Sequence, residues 1–105
     1  MKDTWYHVTD AEQIDTPALL LFADRVKANI DTAIAMVGSP ERLRPHVKTH
    51  KSAEVTRLML NAGITAFKCA TIAEADMLGA CGAPDVLLAY TLSPPKLRRF
   101  IQLQH

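Results

Sequence analysis

The strongest constraint on the fold is a repeated alternation between short apolar runs and helical patterns. Four apolar runs of strand-like composition cover residues 18–22, 43–47, 64–70 and 86–90, and a helical pattern follows each of them. Each strand-helix unit takes about 20 to 25 residues, a length typical of parallel strands that are joined by right-handed helical crossovers. The sequence therefore predicts an α/β fold with four successive strand-helix units and parallel strands.

The first two helices have recognisable ends. We expect the first helix over residues 25–37, with Asp24 as its N-cap, because apolar residues recur on one of its faces. The second helix is expected to stop at Gly63, since glycine commonly follows the last helical turn.

The last two helices have recognisable beginnings. The third opens with a capping box, in which the hydroxyl of Thr71 accepts from the amide of Glu74 while the carboxylate reaches back, and it ends near Gly82. The fourth is expected to begin at Ser93-Pro94, a cap followed by proline at the first helical position. It is expected to bury Leu97, Phe100 and Ile101.

The length of the chain suggests which α/β architecture is present. The runs at 18–22 and 86–89 are almost continuously apolar, as in a parallel sheet that is buried on both faces. An eightfold barrel of such units typically needs about 250 residues. We therefore expect the first half of a (β/α)8 TIM barrel and assign residues 1–105 to the N-terminal part of a barrel domain, with the other strands outside this sequence. An open, doubly wound sheet is the alternative.

Composition excludes several classes of protein. A formal charge of +1 gives no bulk attraction to nucleic acid, and no apolar run approaches a membrane span. The polar start of the chain lacks the apolar segment of a signal peptide, so we expect a cytoplasmic protein with no membrane partner. Cys69 and Cys81 are expected to be reduced and structural.

The most informative cluster of ionisable residues is the basic segment, residues 44–51, at the end of the second predicted strand. On an extended strand Arg44, His46 and Lys48 share one face, and His46 and Lys48 are separated by about 6.6 Å. Lys48 would then lie at the carboxyl end of its strand, where barrels and open α/β sheets place their ligands. There, a lysine that is stripped of water can condense with an aldehyde cofactor. The alternative is an exposed basic edge strand that keeps the protein soluble.

Other candidate residues have weaker patterns. His46 and His50 have a His-x-x-x-His spacing, but on extended chain their rings would be about 13 Å apart, so we predict no metal ligand here. Tyr90 ends the fourth predicted strand at the same edge as Lys48, where contact with a ligand and packing of the loop are both reasonable. Cys69 is expected only to be buried.

Three segments, residues 14–18, 43–51 and 69–75, resemble in that order the N-terminal region of D-threonine aldolases and D-serine dehydratases. These families belong with alanine racemase to the barrel-type pyridoxal-phosphate enzymes. The element Arg-Pro-His-x-Lys-x-His-Lys is the most specific part of the likeness. The resemblance implies that Lys48, and not Lys51, is the catalytic lysine that holds pyridoxal 5'-phosphate. We assign Arg44, His46 and Tyr90 with it as cofactor-binding residues.

The resemblance also implies an activity. We expect a pyridoxal-phosphate-dependent lyase for D-β-hydroxy amino acids, with retro-aldol cleavage to glycine and an aldehyde as the first choice. D-serine dehydration, racemisation and cofactor binding without catalysis are the alternatives. A divalent metal is implied for the whole protein, with its ligands outside this sequence. The partner is a small amino acid, the whole protein is expected to be a homodimer, and residues 1–105 alone are expected to be inactive.

Overall fold

The computed structural model describes residues 4–104 and has an α/β architecture. Within these residues three short 3-10 turns accompany four α-helices and two β-strands. In chain order the helices and strands are α1 (Ala23–Val37), α2 (Ala53–Asn61), β1 (Ala66–Cys69), α3 (Ile72–Ala80), β2 (Asp85–Leu88) and α4 (Pro94–Leu103).

The sheet consists of β1 and β2, which pair in parallel with Phe67 opposite Val86. The segment before α2 joins the other edge of β1 through a single parallel bridge between His46 and Lys68. Helix α3 connects the two strands, as expected for a parallel pair. The prediction of parallel strands with helical crossovers is therefore confirmed for the third and fourth units.

Four complete strand-helix units are not confirmed. Residues 18–22 form no strand among the described residues, and Leu19 within them is 77% exposed. Residues 43–47 contribute only the bridge at His46, because Pro45 has no amide hydrogen and the chain turns directly afterwards. A strand exists only where a neighbouring strand completes its ladder of hydrogen bonds, and residues 18–22 have no such neighbour here.

The helix ends follow the expected capping signals with two corrections. Helix α1 begins at Ala23 with Phe22 at the N-cap, so the prediction of Asp24 as the cap is wrong. Asp24 lies instead in the first turn, where its carboxylate interacts favourably with the helix dipole. Helix α4 begins at Pro94 as predicted, but the side chain of Ser93 makes no capping hydrogen bond.

The other two helix ends match the sequence closely. Helix α2 ends at Asn61, just before Gly63, whose φ of +94° is in the left-handed region that favours glycine. At the start of α3 the amide of Glu74 donates to Thr71 Oγ1 at 3.1 Å, which confirms the predicted cap. The Glu74 carboxylate reaches back to the amide of Ala70 at 3.3 Å, one residue before the cap.

The core lies between the sheet and the surrounding helices. Its fully buried side chains include Phe67 and Cys69 on β1, Leu78 on α3, and Val47 beside the bridge. Phe100 of α4 packs against this core, whereas Leu97 is 45% and Ile101 46% exposed, so their predicted burial is wrong. Cys69 and Cys81 are both free thiols.

Among residues 4–104, no helix has the length and apolar character that crossing a membrane requires.

Candidate functional site

Lys48 lies in a tight turn at the carboxyl edge of the sheet. The turn, Val47–Thr49, follows the bridge at His46 immediately, so it begins where the chain leaves the sheet. The carbonyl of Val47 accepts from the amides of His50 at 3.3 Å and Lys51 at 2.8 Å. Val47 is fully buried, while the side chain of Lys48 is exposed. The core therefore anchors the base of the turn and leaves the amine accessible.

This exposure differs from the expectation that the surrounding fold would strip water from Lys48. The residues that the structure describes leave the Lys48 side chain in contact with solvent. Its ammonium has no hydrogen-bond or ion-pair partner within residues 4–104. The amine is thus positioned by its backbone alone.

His46 supports the turn directly. Its Nδ1 accepts a hydrogen bond from the amide of Lys48 at 3.2 Å, so the neutral ring carries its proton on Nε2. Loss of hydration lowers the pKa of His46, and the ammonium groups of Lys48 and Lys68 lower it further. The imidazole is therefore kept neutral and able to accept this bond at physiological pH.

Arg44 is engaged at the other end of the sheet. Its guanidinium makes two hydrogen bonds to the Asp85 carboxylate, at 2.8 and 2.6 Å, and a third at 3.1 Å to the carbonyl of Phe67. Asp85 is the first residue of β2, whereas Lys48 follows the bridge to Lys68 near the end of β1. The Arg44 hydrogen bonds lower the pKa of Asp85. Arg44 thus has a structural role here, and its contact with a cofactor stays a prediction.

Glu74 and Lys51 connect the Lys48 turn to α3. The Glu74 carboxylate, only 4% exposed, lies 3.3 Å from Lys51 Nζ and accepts from Thr71 Oγ1 at 2.7 Å. Burial alone would raise the pKa of Glu74, but the hydrogen bonds from Thr71, Ala70 and Lys51 outweigh it and lower the pKa. Glu74 is therefore a buried, ionised carboxylate with three hydrogen-bond donors.

His50 is held in the neutral form. Its Nδ1 accepts from the amide of Ser52 at 2.9 Å, and its Nε2 is buried without a hydrogen-bond partner among the described residues. Loss of hydration lowers the pKa of His50, although the charge of Glu74 opposes this. Within residues 4–104 no three His, Cys, Asp or Glu side chains lie close enough together to hold a metal ion.

Tyr90 lines a cleft at the same edge of the sheet. The cleft has a volume of about 170 Å³ and lies between the ends of the strands and the starts of α3 and α4. Tyr90 is 55% exposed, and its neighbours in the cleft include Thr71, Lys96 and Arg99. Cys69, behind this edge, is buried, and its burial and the charge of Glu74 raise the pKa of its thiol. It therefore stays protonated, consistent with its expected burial.

Sequence reasoning missed the partner of Glu74. The capping box identified the contacts of Glu74 with Thr71, which lies three positions away, but the contact with Lys51 spans 23 positions. No local pattern encodes a contact between a loop and the first turn of a later helix. The sequence showed only that Glu74 follows a predicted strand end and that Lys51 follows an earlier one.

Comparison with known proteins gives consistent results. The family described as alanine racemase, N-terminal domain, matches residues 22–105. The D-threo-3-hydroxyaspartate dehydratase of Delftia sp. strain HT23 is 37% identical over 92 residues, covering 87% of this chain and 24% of that protein. The D-threonine aldolase of Arthrobacter sp. is 31% identical over 93 residues, with the same two coverages.

Solved structures agree with the sequence matches. The structure of the Delftia dehydratase superposes with a TM-score of 0.72 and 33% identity, over 88% of this chain and 24% of that one. A point mutant of the same enzyme superposes with a TM-score of 0.73. The chain thus spans about a quarter of the length of the relatives that it matches. The resemblance to barrel-type pyridoxal-phosphate enzymes is confirmed.

Proposed function

Because the chain belongs to the alanine racemase N-terminal domain family, we propose that the whole protein is a pyridoxal-phosphate-dependent lyase for D-β-hydroxy amino acids. The observation that carries the proposal is the Lys48 turn, which has its exposed amine at the carboxyl edge of a parallel sheet, with no partner among residues 4–104. The names of the two relatives, a D-amino-acid dehydratase and a D-amino-acid aldolase, support the substrate class.

The residues around Lys48 fit the cofactor. The aldehyde of pyridoxal phosphate requires an accessible amine with which to condense. The exposed Lys48 Nζ meets that requirement, since no residue that the structure describes forms an ion pair with it. When bound, pyridoxal phosphate supplies an electron sink for the negative charge that develops on the substrate Cα. His46 holds the Lys48 backbone through Nδ1, and its Nε2 proton remains available for a ligand. Tyr90 offers a hydroxyl at the same edge.

Dehydration is the reaction that we propose first. Identity to the dehydratase is 37% over 92 residues, against 31% over 93 residues to the aldolase. The earlier preference for retro-aldol cleavage therefore becomes the second candidate, and racemisation and cofactor binding without catalysis follow it. Both lyase reactions break a bond at Cβ, the carbon that carries the hydroxyl: Cβ–O in dehydration and Cα–Cβ in retro-aldol cleavage. We therefore propose that a divalent metal bound outside this segment polarises the hydroxyl. The cytoplasmic location and the homodimer stay predictions.

The test uses the whole protein with pyridoxal phosphate. Lys48→Ala should abolish the visible absorbance of lysine-bound cofactor, whereas Lys51→Ala should retain it at saturating cofactor. Turnover of D-threo-3-hydroxyaspartate, D-threonine and D-serine should then be measured with and without a chelator. The cofactor absorbance should survive chelation while lyase activity is lost.

Each alternative predicts a different result. Release of glycine and an aldehyde from D-threonine identifies the aldolase reaction, and ammonia with a 2-oxo acid identifies the dehydratase. Racemisation of alanine in the presence of the chelator would refute the lyase assignment but keep Lys48 as the anchor. Absorbance of bound cofactor without turnover of any substrate would indicate that the protein binds the cofactor without catalysis. Absorbance that persists in Lys48→Ala would refute the proposal itself.

A further inference from the structure

Glu74 is a buried carboxylate whose donors come from two separate parts of the chain. Two donors are local, the hydroxyl of Thr71 at 2.7 Å and the amide of Ala70 at 3.3 Å. The third is the ammonium of Lys51, which lies on the loop that follows Lys48. A helix cap requires only the local contacts, so the contact with Lys51 goes beyond what α3 needs for its own stability.

Lys51 has an unusual backbone for a residue with a side chain. Its φ of +52° lies in the left-handed region, and it is the one non-glycine residue there among those described. Its amide donates to the carbonyl of Val47 at 2.8 Å, which closes the turn around Lys48. Residues with a Cβ disfavour this conformation, so surrounding contacts must hold it. Among the described residues, the Lys51 side chain forms its ion pair with Glu74.

We propose that Glu74 is a positioning residue for Lys48 and acts through Lys51. α3 is fixed in the core by Leu78 and Ala75, so its first turn provides an immobile carboxylate. That carboxylate holds Lys51 in the left-handed conformation, and the Lys51 amide in turn fixes the turn that presents the Lys48 amine. Lys51, the second lysine of the basic segment, thus orients Lys48. This inference rests on the proposed role of Lys48 as the cofactor lysine.

The principal variants in the whole protein are Glu74→Gln, Lys51→Met and Lys51→Arg. Glutamine keeps an acceptor for Ala70 but removes the charge that pairs with Lys51, and methionine removes the ammonium at a side chain that is 61% exposed. Arginine at position 51 keeps the positive charge that pairs with Glu74. Glu54→Gln is the matched control, because Glu54 also contacts its helix-cap serine, at 3.0 Å from Ser52 Oγ, but makes no contact with Lys51.

The first measurement is a titration with pyridoxal phosphate, in which the absorbance of the lysine-bound cofactor reports binding. Glu74→Gln and Lys51→Met should each weaken cofactor affinity about tenfold, and the double variant should be little worse than either one. Lys51→Arg and Glu54→Gln should stay within about twofold of the parent protein. A double-variant effect equal to the product of the single effects would mean that the two residues act separately, which would overturn the proposal.

The second measurement is amide hydrogen exchange of the cofactor-free protein, which does not depend on Lys48 chemistry. Glu74→Gln and Lys51→Met should accelerate exchange at Lys51, and Glu54→Gln should not. Unchanged exchange and unchanged affinity in folded Lys51→Met would overturn the inference while Lys48 remains the cofactor lysine. If the parent protein gave no Lys48-dependent absorbance, the proposed function would fail and this inference with it. If Glu74→Gln does not fold, Lys51→Met decides the question.

Discussion

Thr71 makes two hydrogen bonds with Glu74, and its removal should destabilise the protein measurably. Its hydroxyl accepts from the Glu74 amide at 3.1 Å and donates to the Glu74 carboxylate at 2.7 Å. Loss of a helix cap costs about 1 kcal/mol. Loss of a donor to a buried charged group costs roughly a further 1–3 kcal/mol. Thr71→Ala should therefore lower the free energy of unfolding by about 2–4 kcal/mol.

This loss of unfolding free energy is measured by urea denaturation of the whole protein, with circular dichroism as the signal. Thr71→Ser keeps the hydroxyl and should stay within about 1 kcal/mol of the parent protein. Ser93→Ala is the matched control at the N-cap of α4, where the serine side chain makes no capping bond, so its effect should be below about 0.5 kcal/mol. The Thr71 hydroxyl does not have this role if Thr71→Ala and Ser93→Ala have the same effect, or if Thr71→Ser is as unstable as Thr71→Ala.

Three further predictions concern pH and association. The pKa of Glu74 is lowered in the folded state, so its contribution to stability should be complete above its ordinary pKa of 4.5 and lost as the pH falls through the folded value. Glu74→Gln should therefore weaken the acid-side fall in a plot of the free energy of unfolding against pH. The pKa of His50 is lowered below its ordinary value of 6.5, so protonation of His50 favours the unfolded chain. The free energy of unfolding should therefore decline as the pH falls below 6.5, and His50→Gln should remove this part of the decline. Residues 1–105 expressed alone should associate, because β2 pairs on one edge only among the described residues and Leu19, Leu20 and Leu21 are exposed. A monomer that unfolds cooperatively in sedimentation and denaturation experiments would contradict this and favour the open-sheet architecture.

Sequence reasoning was most successful where a structure depends on neighbouring residues. The Thr71 cap, the proline start of α4 and the end of α2 before Gly63 are all local effects of side chains on nearby backbone, and the structure confirms them. The strands β1 and β2 were also identified, because each contains a short apolar run, and the two strands pair in parallel.

It failed where a structure depends on distant partners. The run at 18–22 has the composition of a strand, yet no neighbour completes its ladder. At the candidate site, the position of Lys48 at the carboxyl edge was predicted, but the contacts that hold its loop were not. The Arg44–Asp85 and Lys51–Glu74 pairs join residues 41 and 23 positions apart, and periodicity carries no information about such pairs.

The Arg44–Asp85 pair also bears on how the sheet selects its alignment. A parallel pair has no hairpin turn to set which residues face each other, and a slip by one residue turns every side chain to the opposite face. Arg44 reaches across β1, binding the carbonyl of Phe67 on the way to the first residue of β2. A slip would move its partners by about 3.3 Å and break the two-point contact. This exposed ion pair has little net stabilising effect of its own. It can still discriminate against misaligned sheets, in which Lys48 would be displaced along the strand direction from the carboxyl edge.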